Sequence, residues 1–328
     1  MLDRFRRTGS VAVDLVITLP RALAVRNHVA YFMGEEIADC AAEAGIAVHE
    51  VQSYGLTDLA DSLFFASAEI DLLLVIGWER LLPDTVLRSL GKYALGMHGS
   101  PWGLPKGRGR SPMNWAILTG HGKFITYLFR LDSGIDDGAI IGMKVFDINA
   151  HDGIAELHAK NRLAMAELVE TYLPLIARDE IVFWPQPPGP CSFYPKRSAA
   201  DGAIDWHLPT EAIHRLIRAV APPYPGASCR WREETLHVLD AQPFDTGLFH
   251  GAITPGTIVD LMPSRRMFVV KTGDGSLLVR AFDGVAFEAL EMGGRLLGIG
   301  GGQTSFDDAY PRFVTEDMKE IRTQRISR

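Results

Sequence analysis

The residues of this 328-residue chain best suited to chemistry are His98 and Asp136, each of which closely follows an apolar run typical of a β-strand. A carboxylate beside an imidazole fixes the tautomer and the orientation of the ring. Such a pair suits acyl transfer to an amine, in which charge develops on the carbonyl oxygen and the nitrogen loses a proton. Each residue also has a structural interpretation, because histidines at strand ends are often structural and aspartate is common in glycine-rich turns.

A basic stretch that contains glycine lies between them, at residues 106–110 (KGRGR). Its glycines let the backbone approach a ligand closely, and its cations favour a ligand that is anionic. A solvated surface loop is the alternative interpretation, and the sequence does not decide between the two. The stretch is therefore a candidate anion-binding segment.

Three apolar runs have to position these residues: 70–76, 93–97 and 124–131. Continuous apolar strands of this kind are typical of parallel sheets that are covered on both faces. Sites in such sheets lie beyond the carboxyl ends of the strands. We therefore expect His98, just past the second strand, to lie near Asp136, in the loop after the third.

The rest of the first half alternates between strand and helix patterns, which predicts an α/β, doubly wound domain. The further predicted strands are residues 13–19 and 46–51, and the predicted helices are residues 34–44, 57–67, 84–90 and 153–177.

The second half has a different pattern. A proline-rich, polar stretch interrupts the chain near residue 185, and residues 210–220 predict one helix. The short β-like runs that begin at residue 227 are separated by Gly or Pro, as in a small barrel. The predicted organisation is a catalytic domain at residues 1–184, a linker at 185–203, a barrel domain at 204–290 and a tail at 291–328.

Composition argues against several classes of protein. A net charge of −7 gives no electrostatic footprint for wrapping nucleic acid. Cys40, Cys191 and Cys229 are far apart and form no CxxC pair, so that neither a zinc site nor a disulfide framework is indicated. No apolar run is long enough to span a bilayer, and the charged start lacks a signal-type apolar core. We expect a cytoplasmic protein with no membrane partner and no metal.

Two motifs carry a resemblance to a known family. The segment GMHGSPWGLPKGRGRSPMNWAIL (residues 96–118) resembles the signature N-L-H-[PG]-S-L-L-P-x-x-R-G-x-x-P-x-x-W of formyltransferases that use 10-formyltetrahydrofolate. The later DSGIDDGAII (residues 132–141) is similar to that family's x-x-G-[LI]-D-x-G-x-I loop. Residues 204–227 resemble the junction into its C-terminal, OB-like barrel. The resemblance runs from about residue 13 to residue 282 and implies a Rossmann-like catalytic domain followed by that barrel.

The resemblance also implies roles for single residues. His98 matches the catalytic histidine, which would help to hold charge on the tetrahedral intermediate. Asp136 matches the catalytic aspartate, which would orient the histidine and help to move the proton from the amine to the leaving folate nitrogen. The residues that match the folate site are Arg80, Leu81 and Leu82, which form the backbone strip for the pterin, with Arg110, Asp132, Ser133, Gly134 and Ile135.

This chain departs from the family at two places. The family usually has Asn two residues before the histidine, where its amide donates to the formyl oxygen, but this chain has Gly96. Losing one such donor typically costs about 10²–10³ in rate. The hydrolase domain of formyltetrahydrofolate dehydrogenase, which resembles this family, also lacks that Asn.

Family members usually begin with a strand and a Gly-containing turn, whereas residues 2–7 here resemble only the end of the helix that follows. Either the first strand is missing or the start has been misplaced.

The sequence leaves several acceptors open. Residues 105–115 and 221–227 resemble sugar formyltransferases most closely, including the one that acts on UDP-4-amino-4-deoxy-L-arabinose, and they favour the amine of a nucleotide-linked amino sugar. Initiator methionyl-tRNA is an alternative, but the second half has no excess of basic residues. Hydroxyornithine is a third acceptor. A formyltetrahydrofolate hydrolase or a folate-binding pseudoenzyme is the alternative from a different class, and a homodimer is left open.

Overall fold

The computed structural model describes residues 1–27, 29, 37–195, 197, 199–249 and 252–299. The chain divides into two compact units. The first comprises Met1–Gly99, Ile125–Val145 and Asn161–Gly189, and the second comprises Ser100–Phe124, Phe146–Lys160 and Pro190–Arg328. Part of the helix predicted at residues 34–44 and most of the predicted tail lie outside the described residues. The predicted domain bounds stay predictions.

The helices and strands have the following bounds. The helices are α1 (Leu2–Thr8), α2 (Arg21–Arg26), α3 (Ile37–Glu43), α4 (Leu59–Ser67), α5 (Asp84–Ser89), α6 (Pro112–Leu118), α7 (Ile154–Ala177) and α8 (Thr210–Val220). The strands are β1 (Leu15–Thr18), β2 (Ala47–Glu50), β3 (Leu72–Val75), β4 (Tyr93–Ser100), β5 (Arg108–Gly109), β6 (Lys123–Arg130), β7 (Ile140–Asp147), β8 (Phe193–Tyr194), β9 (Ala227–Trp231), β10 (Glu234–Asp245), β11 (Ile258–Met262), β12 (Met267–Lys271), β13 (Ser276–Asp283) and β14 (Leu296–Leu297).

The site is carried by a four-stranded sheet in the order β3-β4-β6-β7, while β1 and β2 pair separately. Parallel pairing, predicted from the apolar runs, is confirmed for β1 with β2 and for β3 with β4. Leu95, Leu128 and Ile141 are buried from three of these strands and form one cluster with Leu168 of α7. The sheet is therefore covered by a helix, as its continuous apolar strands require.

The structure corrects one predicted strand end. The apolar run predicts that the second strand stops at Met97, but β4 continues to Ser100, so that His98 lies within the strand and not beyond it. Gly96 pairs in register with Val75. The glycine therefore keeps its place in the ladder and does not end the strand.

The second unit contains a six-stranded sheet in the order β11-β12-β13-β10-β9-β14. The amide of Ile258 donates to the carbonyl of Gly294 (2.9 Å) and that of Leu296 to Gly256 (2.8 Å), which joins the two ends of this order. Consecutive short strands after residue 227 are therefore confirmed, and the sheet curls until its edges meet. The helix predicted at residues 210–220 is confirmed as α8, whose residues Ile213 and Ile217 are buried in the same core.

The following statements hold for the residues that the structure describes. No helix there is long and apolar enough to cross a membrane. Within those same ranges, His, Cys, Asp and Glu form no group of three or more that could hold a metal ion. Cys191 and Cys229 are free thiols.

Asp274 caps α8 and gives this unit a pH-dependent contact. Its Oδ1 accepts hydrogen bonds from the backbone N–H (2.7 Å) and the hydroxyl (2.8 Å) of Thr210. The first of these bonds is the main reason that the pKa of Asp274 is lowered. A carboxyl whose pKa is depressed by folding stabilises the protein above its unfolded pKa, and this contribution is lost as the pH falls through the folded value.

We expect Asp274→Ala to lower the free energy of unfolding by about 1 kcal/mol at pH 7, as the loss of a helix cap does. The difference from the wild type should shrink in acid, where the wild-type carboxylate is itself protonated. Urea unfolding at pH 7 and at pH 3 measures both values, with Glu234→Ala as an exposed control in the neighbouring sheet. A difference that is the same at both pH values would contradict this assignment.

Candidate active site

His98 and Asp136 lie together in the first unit, as their places in the sequence predict. Nδ1 of His98 is 3.5 Å from Oδ2 of Asp136, and their side chains are only 8% and 20% exposed. A nearly buried imidazole beside a carboxylate is held in one orientation and, when it is protonated, forms an ion pair. The pair can therefore hold charge and move a proton at a fixed position.

Asp136 reaches this position because residues 131–139 follow a tightly constrained path. Asp136 itself has φ of +49°, a left-handed conformation that is uncommon for a residue other than glycine. A Cβ added at Gly138 would lie 1.7 Å from the carbonyl oxygen of Arg130, and one at Gly134 would lie 1.7 Å from the carboxylate of Asp137. At Gly138 the clash would be with backbone, so that only glycine fits there, whereas at Gly134 the side chain of Asp137 would have to move.

Gln186, which lies outside this segment, fixes the backbone of residues 136–138 by hydrogen bonds. The sequence does not predict this contact. Nε2 of Gln186 donates to the carbonyl oxygens of Asp136 (2.7 Å) and Gly138 (3.0 Å). Gln186 stands in the proline-rich stretch for which the sequence predicts only a linker. A side-chain amide flanked by prolines has no local pattern that identifies its partners, so the sequence carried no signal for this contact.

The side chain of Leu131 occupies the space beside Gly96, the position at which the family has Asn. A Cβ at Gly96 would lie 2.4 Å from Cδ2 and 2.9 Å from Cγ of Leu131. The backbone N–H of Leu131 donates to the carbonyl of Ala94 (2.8 Å), which anchors the residue beside β4. Leu131 therefore fills with an apolar side chain the position that a side chain at residue 96 would occupy.

The strip after β3 contains Arg80, Leu81 and Leu82. Leu82 packs in a buried cluster, whereas Leu81 is exposed. Tyr54 anchors the strip, because its hydroxyl accepts a hydrogen bond from the backbone N–H of Glu79 (3.2 Å). The guanidinium carbon of Arg80 lies 5.0 Å from the centre of the Tyr54 ring, within the range of a cation–π contact.

The remaining predicted site residues divide between the two units. Ile135 is buried, and Asp132 pairs with Arg130 at 3.0 Å. Ser133 is exposed in the same segment of the first unit. Arg110 belongs to the second unit, where its backbone N–H donates to the carbonyl of Tyr194 (3.0 Å). The site described here therefore consists of residues of the first unit.

Two family models match the chain. The model described as formyl transferase matches residues 11–172, and the one described as formyl transferase, C-terminal domain, matches residues 196–284.

Solved structures with a similar fold come from several kinds of protein. A variant of HypX from Aquifex aeolicus has 19% identity and a TM-score of 0.60, with 84% of this chain covered. This chain spans only 45% of the length of that HypX. The N-formyltransferase from Helicobacter canadensis, in complex with folinic acid and dTDP-3-aminofucose, has 18% identity and a TM-score of 0.51, covering 82% of this chain and 99% of its own. Methionyl-tRNA formyltransferase from Clostridium thermocellum has 18% identity and a TM-score of 0.50, covering 70% and 93%.

The packing of Leu131 leads to a prediction for Gly96→Asn. We expect this change to destabilise the protein by about 1–3 kcal/mol, because the new side chain and Leu131 compete for one space. In a Leu131→Ala background the same change should cost markedly less. Urea unfolding of the wild type, both single variants and the double variant gives the coupling energy.

Gly122→Ala is the matched control for the loss of a glycine, because a Cβ at that position would meet no atom within 4 Å. Strict additivity of the Gly96 and Leu131 effects would show that the two side chains do not share the space.

Proposed function

This chain belongs to the formyl transferase family, and we propose that it transfers a formyl group from 10-formyltetrahydrofolate to the amine of a nucleotide-linked amino sugar. The observation that carries the proposal is the His98–Asp136 pair, 3.5 Å apart and largely shielded from water. Acyl transfer to an amine needs a fixed cation or donor for the developing oxyanion and a carrier for the proton of the amine. The two side chains supply both.

The proposed reaction assigns each proton and electron pair. The amine nitrogen attacks the formyl carbon, and the carbonyl electron pair moves to the oxygen. His98 stabilises this oxyanion, while Asp136 orients the imidazole and helps to carry the proton of the amine toward the folate nitrogen. When the oxyanion re-forms its double bond, the carbon–nitrogen bond to the folate breaks and tetrahydrofolate leaves protonated.

Leu131 occupies the space beside Gly96 and so limits the groups that can bind the formyl oxygen on that side. With Leu131 beside it, position 96 offers only backbone groups. His98 must therefore provide the side-chain donor on this side. Because one oxyanion donor is typically worth about 10²–10³ in rate, the rate should depend heavily on this single histidine.

The strip after β3 fits the pterin of the folate. A pterin ring carries several donors and acceptors, and a backbone strip can pair with them if it is rigid. The hydrogen bond from Glu79 to Tyr54 and the packing of Leu82 supply this rigidity. The folate complexes of HypX and of the Helicobacter canadensis enzyme support a formyl-folate donor.

The sugar-nucleotide acceptor is favoured over tRNA by charge. The chain carries 33 basic and 40 acidic residues, whereas gripping an acceptor stem requires a strongly basic face. The dTDP-3-aminofucose complex of the Helicobacter canadensis enzyme also supports an amino sugar.

The direct test is to incubate the protein with 10-formyltetrahydrofolate and UDP- and dTDP-linked amino sugars, initiator methionyl-tRNA or hydroxyornithine, and to detect formylated product by mass spectrometry. Formylation of a nucleotide-linked amino sugar is the expected result. Formylation of tRNA or hydroxyornithine alone would overturn the acceptor, and formate release without any formylated amine would indicate a hydrolase.

The site makes a prediction for both titratable residues. We expect His98→Ala to lower transfer below the limit of a steady-state assay, so that its residual rate is measurable only in single turnover, and Asp136→Asn to lower kcat by about 10²–10⁴, the range of general acid–base contributions. Asp136→Asn should keep the fold, because asparagine tolerates the left-handed conformation found at this position.

Folinic acid binding, measured by calorimetry, should survive both changes, since the pterin strip is separate from the pair. His151→Ala, an exposed histidine, is the matched control. Wild-type turnover in the Asp136→Asn variant would remove Asp136 from the mechanism.

Gln186→Ala gives a further prediction. Losing the two hydrogen bonds to Asp136 and Gly138 should free the backbone of residues 136–138, lower kcat and leave the KM for the folate nearly unchanged. Gln186→Glu lacks the donating amide and should behave in the same way. Steady-state kinetics over a folate series measures the effect, and a variant with unchanged kcat would limit Gln186 to a structural role.

A further inference from the structure

Arg130, the last residue of β6, contacts both ends of the segment that carries Asp136. Its backbone N–H donates to the carbonyl of Ala139 (2.9 Å). Its guanidinium donates to both carboxylate oxygens of Asp132, from Nε at 3.0 Å and from Nη2 at 3.3 Å. Because two parallel hydrogen bonds fix the relative orientation of the two planar groups, Asp132 is held in one position at the end of β6.

The carboxylate of Asp132 also lies close to the far end of this segment. A Cβ added at Gly138 would lie 3.4 Å from Oδ2 of Asp132, in addition to its clash with the carbonyl of Arg130. The carbonyl of Gly138 accepts a hydrogen bond from Gln186 (3.0 Å). The backbone is therefore held before and after Asp136, by Arg130 and Asp132 on one side and by Gln186 on the other.

A pair of aromatic rings supports the guanidinium of Arg130. Its central carbon lies 5.4 Å from the centre of the Phe183 ring, within the range of a cation–π contact. The Phe183 ring meets the ring of Tyr93 edge-on, with 5.2 Å between the centres. Tyr93 is the first residue of β4, the strand that contains His98. These side chains therefore connect the strand of the histidine with the segment of the aspartate, and all of them belong to the first unit.

We propose that the Arg130–Asp132 pair, in contact with Phe183, is a positioning element that holds Asp136 against His98. The two side chains are 41% and 44% exposed, and an ion pair so open to solvent adds little to global stability. The pair can nevertheless fix geometry, because its hydrogen bonds are bidentate and its cation contacts a ring. Proton transfer depends strongly on such geometry.

This inference rests on the proposed function and changes the role of one residue in it. The family resemblance implies that Asp132 belongs to the folate site. In the structure, both of its carboxylate oxygens accept hydrogen bonds from Arg130, two residues earlier in the chain. A carboxylate engaged in this way acts on the backbone of its own segment. Its loss should therefore change kcat and leave the affinity for the folate as it is.

The test measures kcat, KM and the binding of folinic acid for Arg130→Gln, Asp132→Asn and the double variant. We expect each single change to lower kcat about tenfold, because the pair is half open to water and a misplacement of about 1 Å costs about 10²-fold. The double variant should be no slower than either single variant, since all three lose the same contact. Folinic acid affinity, measured by calorimetry, should stay unchanged.

Arg178→Gln is the matched control. Nε of Arg178 donates to the carboxylate of Glu180 (2.9 Å), an exposed pair with the same spacing of two residues in the same unit. We expect Arg178→Gln to keep the wild-type kcat. Urea unfolding should show a similarly small loss of stability in Arg178→Gln and Arg130→Gln, so that the difference in kcat reports positioning.

Formylated amine and formate are both measured as products, so that kcat describes whichever reaction the protein carries out. The proposal is overturned if kcat is unchanged in both single variants, or if their losses multiply in the double variant. A loss of folinic acid affinity in Asp132→Asn would also overturn it, in favour of a folate-binding role. In each of these cases, formylation of an amino sugar by the wild type would leave the proposed function standing.

A protein that turns over no 10-formyltetrahydrofolate would remove the proposed function, and NMR spectra would then decide on the positioning element. The ring signals of His98 should shift in Arg130→Gln and in Asp132→Asn. They should stay in place in Arg178→Gln. Ring signals that shift in none of these variants would overturn the positioning element as well.

Discussion

The arrangement of the first unit depends on one constraint: Asp136 must hold a left-handed backbone conformation beside a nearly buried histidine. This conformation is strained for a residue with a side chain and persists only where the surroundings enforce it. Gly134 and Gly138 allow the close turns on either side, and Gln186 ties the backbone of residues 136 and 138 with two hydrogen bonds. The position of the Asp136 side chain beside His98 is thus set by contacts of the backbone.

The same unit is closely packed at Gly96, the position at which the family has Asn. Because Leu131 fills the space beside Gly96, the wall of the site near His98 is apolar at this position. An apolar wall lowers the local dielectric constant and strengthens the interaction of the remaining donor with a developing charge. The departure at Gly96 is therefore a change in packing, and the His98–Asp136 pair is intact.

Much of the framework could be predicted from the sequence, because its signals are local. The bounds of α8 follow from apolar spacing between proline-containing ends, and β3 follows from a short apolar run closed by Gly77. The proximity of His98 and Asp136 follows from their positions after two apolar runs of one sheet. The end of β4, the closure of Gly96 by Leu131 and the contacts of Gln186 were not predictable, because they depend on packing. The amide of Gln186, for example, binds a carbonyl 50 positions away.

The central claim is that His98 and Asp136 act as one unit, and a double-mutant cycle on kcat/KM for formyl transfer tests it most directly. If Asp136 works through the imidazole, a protein carrying both His98→Ala and Asp136→Asn should be no slower than one carrying His98→Ala alone. Single-turnover measurements at high enzyme concentration keep the residual rates measurable. If the two losses multiply, the residues act independently and the account of a coupled pair is contradicted.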